Sequence, residues 1–93
     1  MKPFQYHQRK ALANWRKHRV SFAEAETVFV NELALIHDDP DHSQDEAREI
    51  IVGHSAVDRL LLVVFVEYPD HVRIISARKT TSFEREDYEE RIS

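Results

Sequence analysis

Seven consecutive residues, Leu60-Leu61-Leu62-Val63-Val64-Phe65-Val66, are apolar without exception. A strand with one wet face alternates apolar and polar side chains, whereas a strand covered on both faces has no reason to. The run is far shorter than the ~20 residues a membrane helix needs. It therefore predicts a strand in the middle of a sheet, and the rest of the chain must supply its lateral neighbours and the layers that cover it.

The flanking sequence offers those parts in order. Tyr68-Pro69-Asp70 punctuates the run, and His71 to Arg78 reads as the next strand. Upstream, Arg48 to Val52 has strand character. Leu33 to Ile36 reads as a short strand entering the turn-rich stretch Asp38-Asp39-Pro40-Asp41-His42. Short connections imply antiparallel pairing. Before the strands, His7 to Lys17 favours helix, with Ala11, Leu12 and Trp15 at helical spacing. Ser21 and Glu24 form a capping box that opens a second helix, whose stripe is Ala25, Val28 and Phe29 and whose end is Asn31-Glu32. Thr81 and Glu84 form another, opening a last helix that runs through Tyr88 towards Ile92 with a thin apolar face. The expectation is one α+β domain over residues 1–93: two N-terminal helices, an antiparallel sheet of about four strands, and a C-terminal helix. Leu62, Val64 and Phe65 should form its core, with Trp15 and Phe29 packed from the helices.

Composition removes whole classes of chemistry. With no cysteine there are no disulfides, thiolate zinc sites or cysteine nucleophiles. A single glycine leaves no Gly-rich phosphate cradle for ATP or NAD, and no Gly-x-Ser-x-Gly elbow for a serine hydrolase. No cofactor is expected. The opening MKPFQYHQRK lacks the apolar segment of a signal peptide, so a cytoplasmic protein is expected. Net charge is −4, yet the first twenty residues hold Lys2, Arg9, Lys10, Arg16, Lys17 and Arg19 and no carboxylate. Residues 24–50 reverse this, with nine Asp/Glu against Arg48 alone. Attraction follows clustered charge rather than the total, so a polyanion can bind the amino-terminal part.

Three blocks of sequence then become recognisable. Phe4-x-Tyr6-x-x-x-Lys10-x-x-x-Asn14-x-x-Lys17-His18-x-Val20-Ser21-Phe22-x-Glu24-Ala25 closely resembles the opening of the BrnT family of bacterial toxins. Asp41-His42-Ser43-x-x-Glu46-x-Arg48 reaching Gly53, and RIISARKTT continuing as Glu84-Arg85-x-x-Tyr88-Glu89, follow in the same order as in that family. The resemblance implies a toxin of a type II toxin–antitoxin system with a RelE-like ribonuclease fold. It also implies an RNA substrate and neutralisation by a ribbon-helix-helix antitoxin of the BrnA kind. Because such antitoxins dimerise, two toxins with two antitoxins are expected, with operator DNA bound only through the antitoxin. Many relatives carry Trp-Asp where this chain has Tyr6-His7, and Gly where it has Arg19. His7 thus replaces a helix-capping carboxylate, and Arg19 puts a side chain where glycine supplies a left-handed residue.

Cleaving RNA without a metal requires a base for the 2′-hydroxyl proton, cations at the pentacoordinate phosphorus and an acid for the leaving oxygen. Arg78, Lys79, Arg73 and Arg48 lie on the expected strands or just beyond them, and guanidinium groups match phosphate oxygens bidentately. Strict alternation places Val72, Ile74, Ser76 and Arg78 on one face and Arg73 on the other, which favours Arg78. Lys10, Asn14, Lys17 and His18, at i, i+4, i+7 and i+8, should share one helical face. His18 sits among cations that favour its neutral form, suiting it to act as the base. Tyr88 can stack on a nucleobase or give a proton, with Glu84 one turn earlier able to accept one; core packing is the competing role for Tyr88. His37, Asp38, Asp39, Asp41 and His42 are potential metal ligands, but their spacing matches no closed site and no metal is expected.

Overall fold

The computed structural model describes residues 2–40 and 47–93. In chain order the elements are β1 (Phe4–Gln5), α1 (Gln8–His18), α2 (Phe22–Val28), β2 (Leu35–Asp38), β3 (Arg48–His54), β4 (Leu60–Glu67), β5 (Val72–Lys79) and α3 (Ser82–Ile92). The fold is α+β. The strands form one sheet in the order β1-β5-β4-β3-β2, so the uniformly apolar β4 is its central strand. Its Leu61, Val63 and Phe65 enter a core built with α2, and Leu60 and Leu62 enter a smaller cluster beneath α3. Both faces are covered, which is why the strand shows no alternation.

Among the described residues the sheet has five strands rather than about four, and it is not wholly antiparallel. β1 runs parallel to β5, pairing Phe4 with Val72 and Gln5 with Arg73. Two residues carry too little periodicity to be read as a strand. The pairing is fixed by Val72 N–H donating to Pro3 O and by Lys2 Nζ reaching the Glu67 carboxylate at 2.7 Å. The second helix stops at Val28, earlier than Asn31-Glu32, because successive i→i+3 bonds fold the segment after it into tight turns. That segment crosses close over β3. A Cβ on Gly53, the chain's single glycine, would lie 2.8 Å from Ala34 Cβ.

The main core gathers Val20, Phe22, Ala25 and Val28 from the helical side against Ile51, Leu61, Val63, Phe65, Val72, Ile74 and Ala77 of the sheet. Phe29 bridges Phe4 and Phe65, with ring centroids 4.9 Å from each. Leu62 and Phe65 are buried as expected, whereas Val64 is only partly so. Trp15 is a correction: it is 44% exposed, and Leu12 is 49% exposed. The helix turns Asn14 inward instead. Asn14 Nδ2 donates to Ala77 O at 2.8 Å and to Val20 O at 2.9 Å, while Ala77 N–H donates to Asn14 Oδ1. A side-chain amide thus continues the ladder along the part of β5 that β1 does not reach, satisfying backbone groups an edge strand would leave open. A residue one step along a helix is rotated by about 100°, so burying Asn14 turns Trp15 out.

Candidate functional site

A single irregularity sets which side chains share the α3 side of the sheet. Along β4 and β5, Val64 pairs with Ser76 but Phe65 pairs with Ile74, leaving Ile75 as an extra residue. This bulge reverses the alternation beyond it. Ala77 therefore joins Val72 and Ile74 in the main core, while Ser76 and Arg78 pass to the other face, across from Val64 and Leu62. Arg73 lies on that face too, across from Val66, which on its other side faces Arg48. The separation of Arg73 from Arg78 expected from strict alternation is thus corrected. Arg48, Arg73 and Arg78 share one face, with Arg78 four β4 residues, or about 13 Å, from the row of the other two.

Between this face and α3 lies a groove of about 950 Å³. Its floor is Leu35, Ile50, Val52, Leu62 and Val64, and its rim includes Arg78, Glu84, Tyr88 and Arg91. α3 begins where it does because Thr81 and Glu84 close a full capping box, as their spacing predicts. The Glu84 carboxylate has a second task. It accepts two hydrogen bonds from the Arg78 guanidinium, each 2.8 Å, in a bidentate pair. The Arg78 hydrogen bonds, aided by the Thr81 backbone and the guanidinium charge, hold the Glu84 pKa down at about 2. Glu84 is consequently a poor proton acceptor near neutrality. Tyr88 is the buried residue of α3; its hydroxyl donates to Leu33 O at 2.8 Å, and burial pushes its pKa up.

α1 flanks this site along β5. His18, half-buried at the helix end, is biased towards its neutral form, first by burial and then by the charges of Lys17 and Arg78. Lys10 and Lys17 are exposed and Asn14 is buried, so the four residues do not present one open face. Asn14 spends its amide on the β5 edge. Lys79 is exposed at the end of β5. The helix closes on Arg19, which adopts a left-handed conformation at φ 56°, ψ 35° and donates its N–H to Trp15 O. Glycine adopts this conformation at a helix end without steric cost. His7 occupies the N-cap without a side-chain capping bond.

The sequence marks His37 only as one of the potential metal ligands of an acidic, turn-rich stretch. It lies instead on β2, pairs with Ile50 and lines the groove. Extending that strand by two residues, with Leu35 and His37 at alternate positions, would have found it. Asp38 ends β2 and Asp39 follows it, whereas Asp41 and His42 lie outside the described residues. A second polar centre sits away from the groove. Glu24 begins α2 by giving its N–H to Ser21 Oγ, but its carboxylate turns to Arg59 and Ser55 instead of completing the box. Those bonds hold its pKa down and pin the β3–β4 turn to the helix.

The sequence model of the ribonuclease toxin BrnT of type II toxin–antitoxin systems matches residues 6–84. Among solved structures, the chain is similar to the ribonuclease toxin BrnT of Brucella abortus, with a TM-score of 0.69 and 18% sequence identity. The likeness covers 88% of this chain and 100% of that one. At that identity the structural likeness concerns the fold, and it includes the α+β arrangement described above. No curated protein sequence matches the chain. Among the described residues, no helix is long and apolar enough to cross a membrane.

Proposed function

Because the chain belongs to the BrnT family of ribonuclease toxins of type II toxin–antitoxin systems, we propose that it is a metal-independent endoribonuclease that acts in the cytoplasm and arrests growth. The observation that carries this reading is the bulge at Ile75, which turns Arg78 onto the sheet face that also holds Arg73 and Arg48 and sets it at the rim of the groove. Cleavage proceeds by attack of a 2′-oxygen on the adjacent phosphorus, with loss of its proton to a base and departure of the 5′-oxygen with a proton from an acid. Arg78 stabilises the charge that develops on the phosphorane, and a phosphate competes with the Glu84 carboxylate for the same two N–H groups. His18 is the candidate base, since it is neutral near pH 7 and lies within the electrostatic reach of Arg78. Lys10, Lys17, Arg73 and Lys79 hold the RNA backbone. Tyr88 serves as the anchor of α3 while its hydroxyl remains on Leu33 O.

A BrnA-type antitoxin silences this site by covering it, burying Lys10, Lys17 or Arg78, in a complex of two toxins with two antitoxins. One observation favours a second reading, a degenerate toxin that only binds: the guanidinium of Arg78 and the hydroxyl of Tyr88 are both committed to internal partners. Induced expression in bacteria, with growth and RNA integrity followed over time, separates the two. The purified chain should also cleave RNA in the presence of a chelator. Arg78→Ala should fold and lose about 100- to 1000-fold in rate, the usual cost of removing an oxyanion donor. A folded Arg78→Ala that cleaves at the parental rate removes Arg78 from the mechanism, and intact RNA in arrested or growing cells leaves the binding reading.

A further inference from the structure

We propose that Trp15 is a stacking platform for a base of single-stranded RNA, placed beside the cleavage groove by the C-terminal half of α1; this rests on the reading of the chain as an RNA-binding toxin. A half-exposed tryptophan is costly surface for a protein to show to water. Trp15 is 44% exposed, and it is exposed because Asn14 takes the inward position. Its surroundings decide what can cover it. Arg9, Lys10, Arg16, Lys17 and Arg19 are all exposed, and residues 2–20 contain no carboxylate. The Arg19 guanidinium lies 5.7 Å from the centre of the indole ring. An apolar protein partner would have to bury this density of positive charge, whereas a nucleotide chain satisfies both features at once, its base on the indole and its phosphates on the arginines.

The position on α1 extends the argument. Trp15 and His18 are three residues apart and hence neighbours on the helix surface. His18 in turn lies close enough to Arg78 for that charge to lower its pKa. An RNA strand with its scissile phosphate at Arg78 therefore passes His18 and reaches Trp15 with a flanking nucleotide. The platform gives affinity and places the strand without reading base identity, because every base offers a flat face.

Trp15 is the chain's single tryptophan, so its emission reports this surface alone. The probe is a 2′-O-methyl RNA oligonucleotide, which cannot be cleaved because the attacking hydroxyl is blocked. Binding is followed independently by filter retention. The expected result is quenching of the emission in step with retention. Trp15→Ala should weaken binding about 5- to 150-fold, which is ~1–3 kcal/mol at 1.4 kcal/mol per tenfold. It should leave the salt dependence unchanged, since no charge is lost, and Trp15→Phe should recover most of the affinity. Retention without quenching, together with wild-type affinity in Trp15→Ala, overturns the platform while leaving the RNA reading intact. No retention even at low salt overturns both. Emission that changes only on adding antitoxin assigns the surface to a protein partner and overturns the proposal.

Discussion

The two faces of the sheet are built from the same strands to different ends. On the α2 side, Val20, Phe22, Ala25 and Val28 seal the sheet with residues that are at most 2% exposed. On the α3 side, one helix with one buried residue stands over an open groove, and Arg78, paired with Glu84, lies at its rim. Close packing stabilises but leaves no room for a substrate, and polar groups held ready for a substrate cannot also be buried among hydrocarbons. The first face supplies stability, and the second is where the proposed chemistry takes place. Substitutions on the two faces should therefore differ in kind as well as in size.

The largest effect on stability is expected at Phe65, which is 2% exposed and packed edge-on against Phe29 at 4.9 Å. Phe65→Ala should cost about 3–5 kcal/mol, measured as a shift of the urea midpoint at unchanged slope. Leu62→Ala, on the groove side, should cost less, since its neighbours can relax into the open space. Equal losses would mean that the α3 face is as tightly packed as the other.

Glu84→Gln comes next and should act in opposite directions on stability and on RNA. Its folded pKa of about 2 lies below the ordinary value of 4.5, so its contribution is complete above about pH 4.5 and is lost as pH falls towards 2. With Arg78 35% and Glu84 28% exposed, solvent screening reduces the pair to about 1–2 kcal/mol near neutrality. Unfolding at a series of pH values should show wild type and Glu84→Gln converging at the acid end. Because the substitution also releases the Arg78 guanidinium, affinity for the uncleavable oligonucleotide should rise. A stability gap that persists unchanged to pH 2 would remove the ion pair as its source. Weaker RNA binding would mean that Glu84 positions Arg78 for phosphate instead of competing with it.

The particular residues explain what the sequence could and could not reveal. The central strand, its neighbours β3 and β5 and the α3 capping box were legible because each is specified locally, by a run of apolar residues or by a side chain three positions away. Arg78 and His18 stand out in the sequence as candidates from their charge and setting, and the charge of Arg78 reaches His18 in the fold. The shared face of Arg73 and Arg78 was hidden, because the bulge that creates it depends on how β5 registers against β4 and on nothing within β5 itself. Trp15 was misplaced for a related reason. Periodicity marks the apolar stripe of a helix, but α1 runs along a sheet edge whose unpaired backbone draws in an amide, and Asn14 takes the place that hydrophobicity alone would give to tryptophan. β1 is held by long-range pairing of two residues, which leaves no local pattern.

The smallest effect is expected at Arg19, which joins the two halves of that comparison where the chain leaves the β5 edge for the packed face. Its left-handed backbone costs a non-glycine residue ~1–2 kcal/mol. Glycine would remove that cost but would add about 0.5 kcal/mol of unfolded-state entropy. It would also forgo the guanidinium over the Trp15 ring, worth about 0.5 kcal/mol at an exposed site. Arg19→Gly should therefore stabilise the fold by about 0.5 kcal/mol, a rise of ~2–4 °C in Tm for a domain of this size. The same substitution removes a cation from the proposed RNA surface, so binding of the oligonucleotide should weaken and its salt slope should fall by about one unit. A gain in Tm accompanied by weaker, less salt-dependent binding is the signature of a strained residue kept for its side chain. A drop in Tm would instead show that the arginine is held by packing on Trp15, and the strain at this helix end would have no functional counterpart.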